Sequence, residues 1–162
     1  MAKIFIVCVD DEPQVLDVLV KDLEVLEEVF PIEVVSNAAE ARRLFAEIYD
    51  SGNQVGLVVC DHIMPGEYGV DLLVEMQSKP ETRPVRKVLL TGQAGLEDTI
   101  RAVNNAKLNH YIAKPWDPQY LVSVARIELT EFVLENEQDL LKYMKVLDYE
   151  KIQETIRTRG YI

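Results

Sequence analysis

The chain has 162 residues, with 28 acidic side chains against 17 basic ones and a formal net charge of −11. At 48% hydrophobic and 28% charged residues it has the composition of a folded globular protein, which argues against a disordered chain. The acidity argues against nucleic-acid binding, whose affinity comes mainly from neutralised phosphates, and no apolar stretch approaches the ~20 residues of a membrane-spanning helix.

The length allows one large domain, or one domain with a segment left over. A chain of this size buries roughly 70% of its unfolded surface and needs no disulfide or metal staple. Cys8 and Cys60 read as reduced cysteines packed in strands, because each lies inside an apolar run and no CxxC occurs. The first apolar run is short and meets Asp10, Asp11 and Glu12 at once, so it is not a signal peptide. The expectation is a soluble, cytoplasmic protein.

Ile4 to Val9 is a continuous apolar run rich in β-branched residues, the pattern of a strand buried on both faces. Pro13 suits a first helical turn, and Val15, Leu16, Val18, Leu19, Leu23 and Leu26 recur at helical spacing up to Pro31. Ile32 to Val35 reads as a second strand. Asn37 is the expected N-cap of a second helix, with Glu40 as its capping-box partner and Ala41, Leu44, Phe45 and Ile48 as its buried face. Val55 to Cys60 is a third strand, stopping at Asp61. His62 to Gly69 holds Pro65, Gly66 and Gly69 and reads as a loop. Val70 to Met76 is helical in pattern, Lys87 to Leu90 a fourth strand, Leu96 to Val103 a fourth helix and His110 to Ala113 a fifth strand. From Pro118 the pattern is helical again.

Strand and helix alternate five times, which implies an α/β fold with a parallel sheet covered on both faces. Ligands of such sheets bind beyond the carboxyl ends of the strands. Those ends carry Asp10 and Asp11, Asp61, Thr91 and Lys114. Three carboxylates together repel one another, and the usual compensation is a hard cation such as Mg²⁺. A carboxylate can attack phosphorus to form an aspartyl phosphate, with Mg²⁺, an ammonium and a hydroxyl around the phosphoryl oxygens. Asp61, alone at the end of a central strand, is the expected nucleophile. Each residue is uninformative singly, because Asp after a strand and Thr-Gly are ordinary turn formers. Their joint placement carries the signal.

The segments VDDE (9–12), DHIMPGEYG (61–69), LLTG (89–92) and YIAKP (111–115) resemble the receiver domains of two-component response regulators. The resemblance covers roughly residues 3–128. It implies a flavodoxin-like doubly wound five-stranded sheet of order 2-1-3-4-5, and phosphorylation of Asp61 by a sensor histidine kinase or phosphotransfer protein. It also implies Mg²⁺ (or Mn²⁺) held by Asp11, Asp61 and the Ile63 carbonyl, with Asp10 acting through water. Lys114 and Thr91 would bind phosphoryl oxygens, and Thr91 and Tyr111 would form the switch. Ile63 and Gln93 would tune attack by water; an apolar Ile63 cannot orient that water, so slow to moderate self-dephosphorylation is expected. His62 stands at a variable and often outward-facing position of the family. KPWD at 114–117 is similar to receivers that precede cyclic-nucleotide enzymes. The protein would then be a signalling module whose one reaction is on itself and whose output is an unknown downstream protein. The alternative is a phosphate-independent pseudo-receiver scaffold or the regulatory fragment of a longer protein.

A receiver would span 1–128, leaving 129–162 as a helical extension. No Pro or Gly interrupts Pro118 to Leu147, enough for an extended C-terminal helix of about 45 Å. Leu129, Val133, Asn136, Leu140, Tyr143 and Leu147 follow steps of four and three, a heptad seam with one polar position. That seam has two readings: a coiled coil joining a homodimer, or a helix folded back on its own receiver. The segment 127–162 is acidic and too short for a DNA-binding output domain.

Overall fold

The computed structural model describes residues 2–92 and 96–159. Its elements are β1 (Ile4–Val9), α1 (Pro13–Glu27), β2 (Ile32–Val35), α2 (Ala38–Asp50), β3 (Gln54–Asp61), α3 (Gly69–Ser78), β4 (Arg86–Thr91), α4 (Leu96–Asn105), β5 (His110–Ala113), α5 (Pro118–Asn136) and α6 (Tyr149–Arg159). A single 3₁₀ turn, Leu141–Tyr143, lies between α5 and α6.

The five strands are parallel and ordered β2-β1-β3-β4-β5. Side chains alternate across the strands. Ile4, Ile6 and Cys8 of β1 therefore face α1 and α5, together with Leu57 and Val59 of β3. Val7, Val9, Val58 and Cys60 point the other way, into a second core under α2, α3 and α4. Asn37 caps α2 by accepting from the Glu40 N–H at 2.8 Å, while the Glu40 carboxylate accepts from the Ser36 N–H at 3.1 Å. The register between β1 and β3 slips after Phe5, and Gly56 is the extra residue. A Cβ there would lie 2.5 Å from Ile4 Cγ2 and 3.3 Å from Leu129 and Phe132, so only glycine lets α5 approach β3 this closely.

The continuous C-terminal helix does not form. α5 stops at Asn136, whose amide donates back to the Phe132 carbonyl at 2.8 Å, and Glu137 turns extended. The polar run Glu135–Asp139 gives the helix no apolar face to bury, and the chain reverses. Leu140, Tyr143, Leu147 and Ile152 then join Leu129 and Val133 in the core beside α1 and α5. Tyr143 stacks on Phe30 with centroids 5.7 Å apart, and the Asp148 N–H donates to Thr130 Oγ1 at 3.2 Å. The apolar seam positions are thus satisfied within one chain, and Asn136 is spent on its own helix. Of the two readings of Leu129, Val133, Asn136, Leu140, Tyr143 and Leu147, the helix folded back on its own receiver matches the packing of the apolar positions in this chain. Residues 128 and 129 are consecutive positions of α5, so the extension shares the receiver's core.

Truncating Leu140 to alanine is expected to cost about 2–5 kcal/mol, the range for a buried leucine. Urea unfolding should show that loss at a midpoint independent of protein concentration. A midpoint that rises with concentration, with the variant abolishing the rise, would place this leucine between two chains instead.

Candidate functional site

Because all strands run parallel, the ends of β1, β3, β4 and β5 open on one edge. Asp10 and Asp61 stand at neighbouring strand ends and are almost wholly buried, at 0% and 5% exposure. Asp10 Oδ1 accepts the Glu12 N–H at 2.9 Å, which turns the chain into α1. Asp11 is half-buried beside it. One carboxylate oxygen from each of Asp10, Asp11 and Asp61 lies within 4.8 Å of the other two.

Lys114, after β5, reaches across this edge. Its Nζ donates to Asp10 Oδ2 at 2.9 Å and lies 3.2 Å from Asp61 Oδ1. Its backbone N–H donates to the Thr91 carbonyl at 3.2 Å, tying the end of β5 to the end of β4. Burial and the Asp10 charge push the Asp61 carboxyl above its usual range, while Lys114 pulls it back. Burial works against the Lys114 ammonium, but its bonds and charge attraction to Asp10 and Asp61 leave its pKa raised. Cys60, next to Asp61, is held as a thiol: burial and the Asp61 charge push its pKa up.

The remaining expected residues fall around this centre. Thr91 is buried at the end of β4. Tyr111 is 39% exposed on β5, paired in register with Leu89. Ile63, two residues past Asp61, carries a half-exposed side chain. Gln93 lies outside the described residues. Gly69 closes the loop after β3: its N–H donates to the His62 carbonyl at 2.7 Å, and a Cβ would fall 1.8 Å from the Asp61 carbonyl oxygen. No larger residue fits so close to the backbone of Asp61.

Two features were not read from the sequence. His62 does not face outward; it is fully buried between α3 and α4. Trp116 lines a groove of about 450 Å³ with Gln14, Val15, Val18 and Lys114, and its Nε1 donates to Asp22 at 2.9 Å. Both depend on partners far away in the chain, so no local pattern marks them.

The model of the response regulator receiver domain family matches residues 6–126. The chain belongs to this family. The receiver is 35% identical over 122 residues to the hydrogenase transcriptional regulatory protein HoxA of Cupriavidus necator, a match covering 75% of this chain and 23% of that one. The HoxA protein of Bradyrhizobium diazoefficiens is 33% identical, over 83% of this chain and 26% of its own. The receiver thus spans about a quarter of the length of these relatives. In structure it is similar to the signal receiver domain of an HD domain-containing protein from Pseudomonas fluorescens (TM-score 0.71, 26% identity, 82% of this chain and 98% of that one). It is equally similar to a CheY-like receiver domain protein from Methanospirillum hungatei (TM-score 0.70, 26% identity, 84% and 100%). Receivers of this family generally bind Mg²⁺ at an acidic pocket, and they interact with sensor histidine kinases or phosphotransfer proteins. Among the described residues, no helix is long and apolar enough to cross a membrane.

The donor set fits a hard cation: three carboxylates in reach of one another, with one ammonium, Lys114, shared between two of them. The raised Asp61 pKa means that its ionised form costs stability as pH rises through that pKa. Asp61→Asn should therefore raise the melting temperature at neutral pH in EDTA, and should shrink the gain that Mg²⁺ gives the wild type. A variant less stable than wild type in EDTA would show that the carboxylates do not strain one another.

Proposed function

We propose that this receiver accepts a phosphoryl group on Asp61 from a phosphohistidine donor and thereby switches a protein–protein contact. The observation that carries this reading is the juxtaposition of a nearly buried Asp61 with the Lys114 ammonium at 3.2 Å, on the edge that also holds Asp10, Asp11 and Thr91. An Asp61 carboxylate oxygen attacks phosphorus, the bond from phosphorus to the donor nitrogen breaks, and the donor imidazole leaves. Lys114 is placed to transfer its bond from the Asp61 carboxylate to a phosphoryl oxygen while keeping Asp10. The Thr91 hydroxyl, at the end of the adjacent strand, supplies a further donor to that oxygen, and Tyr111 follows it inward from its exposed position.

Asp10, Asp11 and Asp61, with the Ile63 carbonyl, are the residues to hold Mg²⁺ or Mn²⁺, which would offset charge on the phosphoryl oxygens. The apolar groove that ends at Lys114 supports docking of the donor beside the nucleophile, since it opens next to the site and is lined by Val15, Val18 and Trp116. The aliphatic Ile63 cannot orient a water for attack on the aspartyl phosphate, which supports slow to moderate self-dephosphorylation. The downstream contact is to a protein, in keeping with the acidity of the chain. The receiver would be the regulatory part of such a system, its relatives being transcriptional regulators about three times as long.

Incubation with acetyl phosphate and Mg²⁺ should add the mass of one phosphoryl group to the intact chain. Asp61→Asn should abolish the label with the far-ultraviolet spectrum unchanged. Absence of labelling, under conditions where a control receiver labels, would favour a phosphate-independent scaffold. A label lost within seconds would contradict the role given to Ile63.

A further inference from the structure

His62 follows Asp61 directly, and its ring is fully buried, yet the phosphoryl chemistry does not use it. The backbone N–H of Val70, in the first turn of α3, approaches Nδ1 at 3.4 Å. A backbone N–H can only donate, so Nδ1 is the acceptor and Nε2 carries the proton. Nε2 therefore donates, and its partner is Asp98 Oδ2 at 3.0 Å, in the first turn of α4. The backbone carbonyl of His62 accepts the Gly69 N–H, closing the loop against the Asp61 backbone. Arg101, one turn along α4, bonds Asp71 of α3 at 2.6 Å and lies 4.0 Å from Asp98. Tyr68 packs on the His62 ring, with centroids 5.2 Å apart.

The imidazole thus forms a rigid strut with one end in the loop of the phosphoacceptor and the other on α4. Any movement of the Asp61 backbone as its side chain changes charge and partners must move the ring, and a buried ring cannot exchange its bonds for bonds to water. Asp98, in the first turn of α4, bonds that loop through the His62 ring, and Arg101, one turn on, bonds Asp71 of α3. We propose that His62 is a positioning residue that transmits the state of Asp61 to α4 through its Nε2–H bond to Asp98. This link lies on the β3 side of the site and is separate from Thr91 and Tyr111. The proposal rests on the reading of Asp61 as phosphoacceptor. It names α4, with Ile100 and Val103 exposed three residues apart on its surface, as an element whose position the switch sets.

The test uses the full chain with Mg²⁺ and beryllofluoride as the phosphoryl mimic, and reads amide hydrogen exchange across residues 97–105. Acetyl phosphate labelling of Asp61 is measured in parallel. Wild type should show a change in α4 exchange on adding the mimic. Asp98→Ala, a substitution at a half-exposed surface position, should keep the label and lose at least threefold of that change. Asp98→Asn, whose amide oxygen still accepts the Nε2 proton, should restore it, an outcome that a purely structural or charge-based role does not give. His62→Phe should behave as Asp98→Ala. An Asp98→Ala protein that labels and responds in α4 like wild type overturns the proposal alone. A wild type that neither labels nor binds the mimic overturns the phosphoacceptor reading, and the proposal with it.

Discussion

The sheet brings two carboxylates to adjacent central strand ends, where neither can be fully hydrated, and sets one ammonium between them. Lys114 bonds Asp10 at 2.9 Å and stands 3.2 Å from Asp61. Without a cation there, two buried like charges would face each other at the end of an apolar core, a costly arrangement. The pairing is incomplete by design of the site: one ammonium serves two carboxylates while Asp11 waits alongside, and the Asp61 carboxyl stays above its usual range. An acidic edge with too little positive charge favours a divalent cation, and a nucleophile whose partner can move to a new oxygen favours phosphoryl acceptance. The fold exists to hold these groups in place, since β1, β3, β4 and β5 each deliver one of them.

Much of this was legible in the sequence, for a physical reason. A strand buried on both faces leaves a continuous apolar run, as β1 does, and the short edge strands β2 and β5 also lie where the sequence marks them. β3 and β4 extend past theirs, because Gln54, Asp61, Arg86 and Thr91 take part in the backbone ladder although their side chains are polar. The site residues sit at the boundary where apolar sequence stops and the ladder ends, which is why counting strand ends found them. Strand order was not readable from alternation; it came with the family resemblance.

The C-terminal extension shows what periodicity cannot decide. Leu129, Val133, Leu140, Tyr143 and Leu147 had to be buried, but steps of four and three do not say against what. The chain reverses after Asn136, and Tyr143 meets Phe30 rather than a second copy of itself. His62 was misjudged because its partner, Asp98, lies 36 residues away. Lys87 is a similar case: it is buried on β4 with its ammonium bonded to Gln77 and to the carbonyls of Arg83 and Val85. Burial lowers its pKa to about 8. Polar residues buried by long-range partners leave no local trace, whereas apolar runs do.

The dependence of the site on one ammonium is tested most directly by the thermal stability of Lys114→Met in EDTA and in Mg²⁺. Methionine keeps the packed stem and removes the charge. Loss of about 3–5 kcal/mol is expected in EDTA, the cost of leaving buried charge uncompensated, with Mg²⁺ recovering more stability in the variant than it adds to the wild type. A variant as stable as wild type in EDTA would contradict the account, because the carboxylate edge would then stand without its cation.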